Sequence, residues 1–279
     1  MASPGRLAVD ERPAARPARD GAGGPAGGPS PLIVLVHGSL DRGASFGRVR
    51  RRLADLDTLV YDRRGYQGSR DLRPPARDLA DHVEDLLEVI GGREAVVAGH
   101  SYGGNVALGA ALDPRGGSIR AVAAYEPPQP WLRRRSAAPR ADGRVGDPGE
   151  EDPATAAERF FRRMVGDEAW DRLPEAEKEA RRADGPALAA ELAAIRIRRP
   201  PFDVARLRVP VVYGRGELSL PHHRAAVAWL VGHTPDAELV EIAGARHGAH
   251  LTHPDAFAAM VRRAVALAGR PSGAPAAAP

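Results

Sequence analysis

The sequence predicts an α/β fold, a mainly parallel central sheet flanked by helices, and three observations carry that expectation. Short apolar runs alternate with helical patterns through most of the 279 residues, as strands joined by crossover helices require. His37, Asp62, Ser101 and Glu126 each stand just beyond the end of an apolar run, where open parallel sheets gather reactive groups. The third observation is Gly99-His100-Ser101-Tyr102-Gly103, which lies between a strand-like run and an alanine-rich helical stretch. Gly-x-Ser-x-Gly in that setting is a sharp strand-to-helix turn that aims the serine hydroxyl out of the sheet.

In chain order, residues 1–31 are rich in Pro, Gly, Ala and Arg without periodicity and predict a disordered tail, with at most a stub of strand at Leu7-Ala8-Val9. The core begins with Leu32-Ile33-Val34-Leu35-Val36, a buried strand that runs into His37-Gly38-Ser39. A helix over 44–56 carries Phe46, Val49 and Leu53 on one face, and Thr58-Leu59-Val60-Tyr61 forms the next strand. Residues 76–90 place Leu79, Val83, Leu86, Leu87 and Ile90 at helical spacing, closed by Gly91-Gly92. Residues 94–97 form the strand before Ser101, and 119–125 another.

From Pro127 the alternation breaks, and 127–202 reads as a helical lid inserted over the sheet. Helices are expected at 154–165 and 186–198 with a charged connection, 174–184, between them; Arg133-Arg134-Arg135 reads as a solvated run. The sheet resumes at 209–214, followed by a helix (221–231), a strand (238–242), the loop bearing His247, a closing helix (254–267) and a frayed tail from 271. The expected domains are therefore a core of 32–126 and 203–269, the lid at 127–202, and tails at 1–31 and 270–279.

Composition narrows the function. Hydrophobic residues make up 43% of the chain and charged residues 27%, enough for a sizeable core. No window approaches the ~20 apolar residues of a membrane span, and no apolar h-region marks a secretory signal, so a cytoplasmic protein with no membrane partner is expected. With no cysteine there is no disulfide, thiolate nucleophile or Cys-bound metal. The pI of about 9.9 comes almost wholly from arginine, Lys178 being the single lysine, and net charge is only +4. The arginines form no stripe interleaved with aromatics, so no nucleic-acid partner is expected. The lone lysine completes no phosphate loop, and no Gly-x-Gly-x-x-Gly follows a strand. The implied partner is a small-molecule substrate.

Gly-His-Ser-Tyr-Gly-Gly, the His-Gly after the first core strand, Asp62-Arg63-Arg64-Gly65 and the late Gly244-Ala245-Arg246-His247 together resemble the α/β-hydrolase fold superfamily. The likeness is to its lid-bearing esterase-like and haloperoxidase-like members, and it runs from Leu32 to Leu267. It implies a serine hydrolase acting on an ester, thioester or lactone through an acyl-enzyme, with no metal, nucleotide or flavin cofactor. The alternatives are carbon–carbon hydrolase, lyase or perhydrolase chemistry, or a non-catalytic binding protein on the same fold. It implies Ser101 as nucleophile and His247 as base, with His250 and His253 as competitors. His222 and His223 read as entrance or surface residues. Glu217, in Gly214-Arg215-Gly216-Glu217, is the preferred acid and Glu126 the alternative, either able to orient an imidazole. The oxyanion hole is expected from the N–H of Tyr102 with that of Ser39 or Leu40. His37 and Asp62 read as residues that order their loops, and Gln67 stands where the family usually has glycine. Trp131, Phe160, Phe161 and Trp170 supply the aromatic side chains of the lid.

Overall fold

In the computed structural model, residues 6–15, 30–132, 151–195 and 200–269 are described. The run Arg133-Arg134-Arg135, the tail from 271 and most of 1–31 lie outside them.

A seven-stranded sheet forms the centre, in the order β1-β3-β2-β4-β5-β6-β7. Its strands are β1 (Val9–Arg12), β2 (Leu32–Val36), β3 (Thr58–Tyr61), β4 (Ala95–His100), β5 (Ile119–Tyr125), β6 (Val211–Gly216) and β7 (Ala237–Ile242). Among the described strands only β1 runs antiparallel to its neighbour. Strands β2 to β5 are almost wholly buried, which is why they read as continuous apolar runs: both faces of a parallel sheet are covered.

Helices α1 (Gly47–Arg52), α2 (Leu79–Ile90) and α3 (Tyr102–Leu112) follow β2, β3 and β4. Between β5 and β6 come α4 (Pro153–Val165), α5 (Asp167–Asp171), α6 (Glu175–Ala183) and α7 (Gly185–Ile195). Then α8 (Pro221–His233) follows β6, and α9 (Ala249–Thr252) and α10 (Pro254–Ala268) close the chain. One core layer sets α2, α3 and α8 residues, among them Leu86, Val106 and Leu230, against Val34, Val97 and Val211 of the sheet. The other sets Phe257, Val261 and Ala264 of α10 with Phe46 and Leu53 against Leu35, Val96 and Val212. No described helix is long and apolar enough to cross a membrane.

Three expectations need correction. Residues 9–12, assigned to a disordered tail, form β1, because their backbone extends the β3 edge and Asp10 takes a 2.6 Å bond from the buried Arg50 guanidinium. The expected helix at 44–56 begins as a 3₁₀ turn (Gly43–Phe46) and ends at Arg52. The charged connection at 174–184 is helix α6: Arg182 bonds Glu158 of α4 and Glu175 of its own helix, so charge here ties helices together.

The inserted helices have a small core of their own, where Ala157, Phe161, Trp170 and Leu188 gather around Leu40, a residue of the loop after β2. The insertion is thus packed directly onto that loop.

Candidate active site

Ser101 lies at the centre of the sheet's carboxyl edge, between β4 and α3. Its backbone is held at φ 53°, ψ −124°, a region that costs a non-glycine residue ~1–3 kcal/mol. Hydrogen bonds from its N–H to Tyr125 O (2.8 Å) and from Gly104 N–H to its carbonyl (2.8 Å) hold it there. The flanking glycines are obligatory: a Cβ on Gly99 would strike the Gly103 carbonyl, and one on Gly103 the Val36 carbonyl. Strand and helix therefore pass closer than any side chain permits, and the N-terminus of α3 directs backbone N–H groups towards the serine.

His247, in the loop after β7, is mostly buried, and its Nδ1 lies 2.7 Å from Glu126 Oε2. Glu126 is fully buried and follows β5 with φ +46°. Its N–H bonds Gly214 O at 3.0 Å, and its Oε1 accepts from Gly216 N–H at 2.8 Å. Burial alone would raise its pKa, but the His247 contact and the Gly216 N–H outweigh that and hold the carboxyl below its ordinary value. An ionised Glu126 fixes His247 as the Nδ1–H tautomer, leaving Nε2 a lone pair.

The preferred acid, Glu217, does not reach the imidazole. Residue 216 still pairs with Ile242 of β7, so 217 emerges on the solvent side, exposed, with its Oε2 accepting from Gly244 N–H at 2.8 Å. The carboxylate on His247 is Glu126.

His223 corrects the expectation of an entrance or surface residue. It is buried, and its ring stacks on His247 with centroids 4.2 Å apart and planes 18° apart. Its Nδ1 is 3.9 Å from Glu126 Oε2. No spacing pattern could reveal this contact, which depends on where α8 crosses the edge. The three side chains lie close enough to suggest a metal site. Near-parallel rings, however, do not direct two lone pairs at one ion, as a tetrahedral site demands.

A second buried group underlies the same loops. His250 Nε2 lies 3.2 Å from Asp41 Oδ2, which also accepts from Ser45 Oγ at 3.0 Å. His100, ring to ring with His250 at 4.2 Å, donates from Nε2 to the His247 carbonyl at 2.8 Å. The bond from His100 ties the serine turn to the histidine loop. Burial drives the His100 pKa well below the ordinary value, so it stays neutral. His253 sits at the N-cap position of α10, away from Glu126.

On the other flank lies His37-Gly38-Ser39-Leu40. A Cβ on Gly38 would sit 3.0 Å from Ser101 Cβ, so this loop is pressed against the serine. Burial and then the Arg63 charge lower the His37 pKa to about 3. The neutral ring accepts from Arg63 N–H at Nε2 (2.9 Å) and donates from Nδ1 to Gly38 O (2.8 Å). Asp62 receives the N–H groups of Gly43 (2.8 Å) and Gly68 (3.1 Å). Gln67 adopts φ +41°, the left-handed conformation that makes glycine the usual occupant there. A cavity of about 510 Å³ meets this region at Tyr102 and runs along α3 past Gly109 and Phe202, without Ser101 or His247 in its wall.

The model of the alpha/beta hydrolase family matches residues 33–260. A monoacylglycerol lipase of Mycolicibacterium smegmatis (strain ATCC 700084 / mc(2)155) is 32% identical over 87 residues, which are 28% of this chain and 31% of that protein. The chain therefore spans about a third of that relative's length. Among solved structures, MenH from S. aureus superposes with a TM-score of 0.69 at 15% identity, covering 94% of this chain and 99% of that one. A thermophilic esterase from Thermogutta terrifontis gives 0.68 at 19% identity over 95% and 94%. Likeness at such identities speaks for the fold, and the sheet order, the serine turn and the family match agree: this chain belongs to the alpha/beta hydrolase family.

Proposed function

We propose that this protein is a serine hydrolase that cleaves an ester, thioester or lactone through an acyl-enzyme, with Ser101 as nucleophile, His247 as base and Glu126 as acid. The observation that carries the reading is the 2.7 Å contact between His247 Nδ1 and a fully buried carboxylate, on the loop tied to the strained serine turn. With Nδ1–H committed to Glu126, His247 Nε2 takes the proton of Ser101 Oγ as the oxygen attacks the substrate carbonyl. The Oγ–C bond forms, and the carbonyl π electrons move onto oxygen. Backbone N–H groups of Tyr102 and Ser39 stabilise that oxyanion. Collapse expels the alcohol, thiol or ring oxygen, which receives the proton from His247. Water, deprotonated by the same nitrogen, then releases the acid and restores Ser101. Glu126 stays ionised throughout and stabilises the imidazolium. The inserted helices act as a lid in this reading, and the substrate is a small acyl compound. The relative named as a monoacylglycerol lipase and the neighbour named as an esterase support ester chemistry.

The test is labelling with a fluorophosphonate probe and peptide mapping, together with turnover of a p-nitrophenyl ester panel. Native protein is expected to label at Ser101, and Ser101→Ala to lose labelling and at least ~10⁴-fold in kcat. Ester turnover that survives Ser101→Ala unchanged sinks the reading.

A further inference from the structure

We propose that Glu191, from inserted helix α7, is a positioning residue that, through Arg63, sets the direction of the Ser39 N–H in the oxyanion hole. The inference rests on the acyl-transfer reading above and adds to it a residue from outside the sheet.

Arg63 is fully buried and Glu191 is 3% exposed. Glu191 Oε1 accepts from Arg63 Nη1 at 2.5 Å, and Oε2 accepts from Ser39 Oγ–H at 2.6 Å. The other two Arg63 nitrogens bond the same loop: Nε on His37 O at 2.9 Å and Nη2 on Gly38 O at 3.0 Å. A trans peptide points its carbonyl and its N–H in opposite directions. Holding Gly38 O on Arg63 therefore turns the Ser39 N–H away from Arg63, in a loop whose Gly38 is packed against Ser101. The Ser39 side chain is drawn to Glu191, and Leu40, at φ +54°, has its carbonyl bound by Arg181 Nη1 of α6 at 2.8 Å. The peptide cannot rotate without breaking charge-assisted bonds in a dry site.

Glu191 is the group that joins these parts. It alone among the described contacts holds both the guanidinium and the Ser39 hydroxyl, and it reaches them only with α7 docked. His82 Nε2, 3.4 Å from Oε1, is kept neutral by its burial, so Arg63 supplies the countercharge. Nothing in the spacing of 185–195 marks this residue, and Arg63 lies in the Asp62-Arg63-Arg64-Gly65 segment with no role of its own legible there.

The experiment compares native protein with Glu191→Gln, Ser39→Ala and the double variant Arg63→Met/Glu191→Met. The readouts are steady-state ester kinetics, inhibition by an alkyl trifluoromethyl ketone whose hemiketal bears an oxyanion, and thermal unfolding. Glu191→Gln is expected to lower kcat ~10- to 100-fold with KM within about threefold, and to weaken the ketone by the same factor. The pH profile of kcat keeps its shape. The double variant, with neither charge of the pair left, is expected to recover Tm but not kcat. Native kcat and ketone affinity in Glu191→Gln overturn the proposal, as does recovery of kcat together with Tm in the double variant. Retained turnover in Ser101→Ala identifies failure of the parent reading, whereas Ser101-dependent turnover indifferent to Glu191 refutes this inference alone.

Discussion

Two buried glutamates flank Ser101, and their partners differ. On the β5–β7 side Glu126 faces His247, an imidazole with one nitrogen to donate and one to accept. On the β2–β3 side Glu191 faces Arg63, whose charge is permanent. Burial disfavours the Arg63 cation, but Glu191 outweighs it and holds its pKa above the usual value. In the proposed mechanism one flank moves a proton and the other holds a peptide still. The difference follows from position in the sheet. Glu126, Gly216 and the loop carrying His247 lie at adjacent carboxyl ends of the sheet. The loop after β2, by contrast, borrows its anchor from the inserted helices.

The sharpest way to break this comparison is at the proton-moving flank. Glu126→Gln is expected to cut kcat ~10³- to 10⁴-fold, since the imidazole loses its tautomer and its countercharge. Glu217→Gln, exposed and bonded only to a loop N–H, should stay within about twofold under the same assay. Equal losses in the two variants would return the acid role to Glu217.

Next in size is the fixed flank. Arg63→Met leaves a fully buried carboxylate without its partner and should cost about 3–5 kcal/mol in urea unfolding. A cost under ~1 kcal/mol would make the pair no stronger than a surface ion pair and remove the contrast.

Acidification separates the flanks more finely. His37, His82 and His100 are buried with folded pKa values below 6.5. The unfolded chain therefore binds more protons as pH falls. Stability is complete above about pH 6.5 and declines towards pH 3, with each histidine adding up to ~1.4 kcal/mol per pH unit. The depressed Glu126 acts in the same direction lower down: its contribution is present above its unfolded value of 4.5 and is lost as pH falls through the folded one. His37→Asn should shallow the slope between pH 6.5 and 3 by one proton, measurable by urea unfolding at several pH values. An unchanged slope would mean that the His37 ring is already charged in the native loop.

Much of the fold was legible because a parallel sheet buried on both faces writes itself as apolar runs. All six parallel strands stand within a few residues of their expected places. The serine turn was equally plain, since its backbone tolerates only glycine at Gly99 and Gly103. Strand β1 was legible only as a stub at Leu7-Ala8-Val9: edge pairing needs backbone and a partner, and Val9–Arg12 is exposed along its whole length.

The sequence by itself determined the α/β sheet, the strained serine and the loop that carries His247, because local periodicity and backbone sterics encode them. Only the tertiary structure decided which carboxylate meets the imidazole, since Glu126 and Glu217 both follow strands and differ in which way the chain turns afterwards. It alone stacked His223 on His247 and brought Glu191 to Arg63 across 128 positions of sequence. Such contacts depend on how separate elements pack, and no local pattern records that.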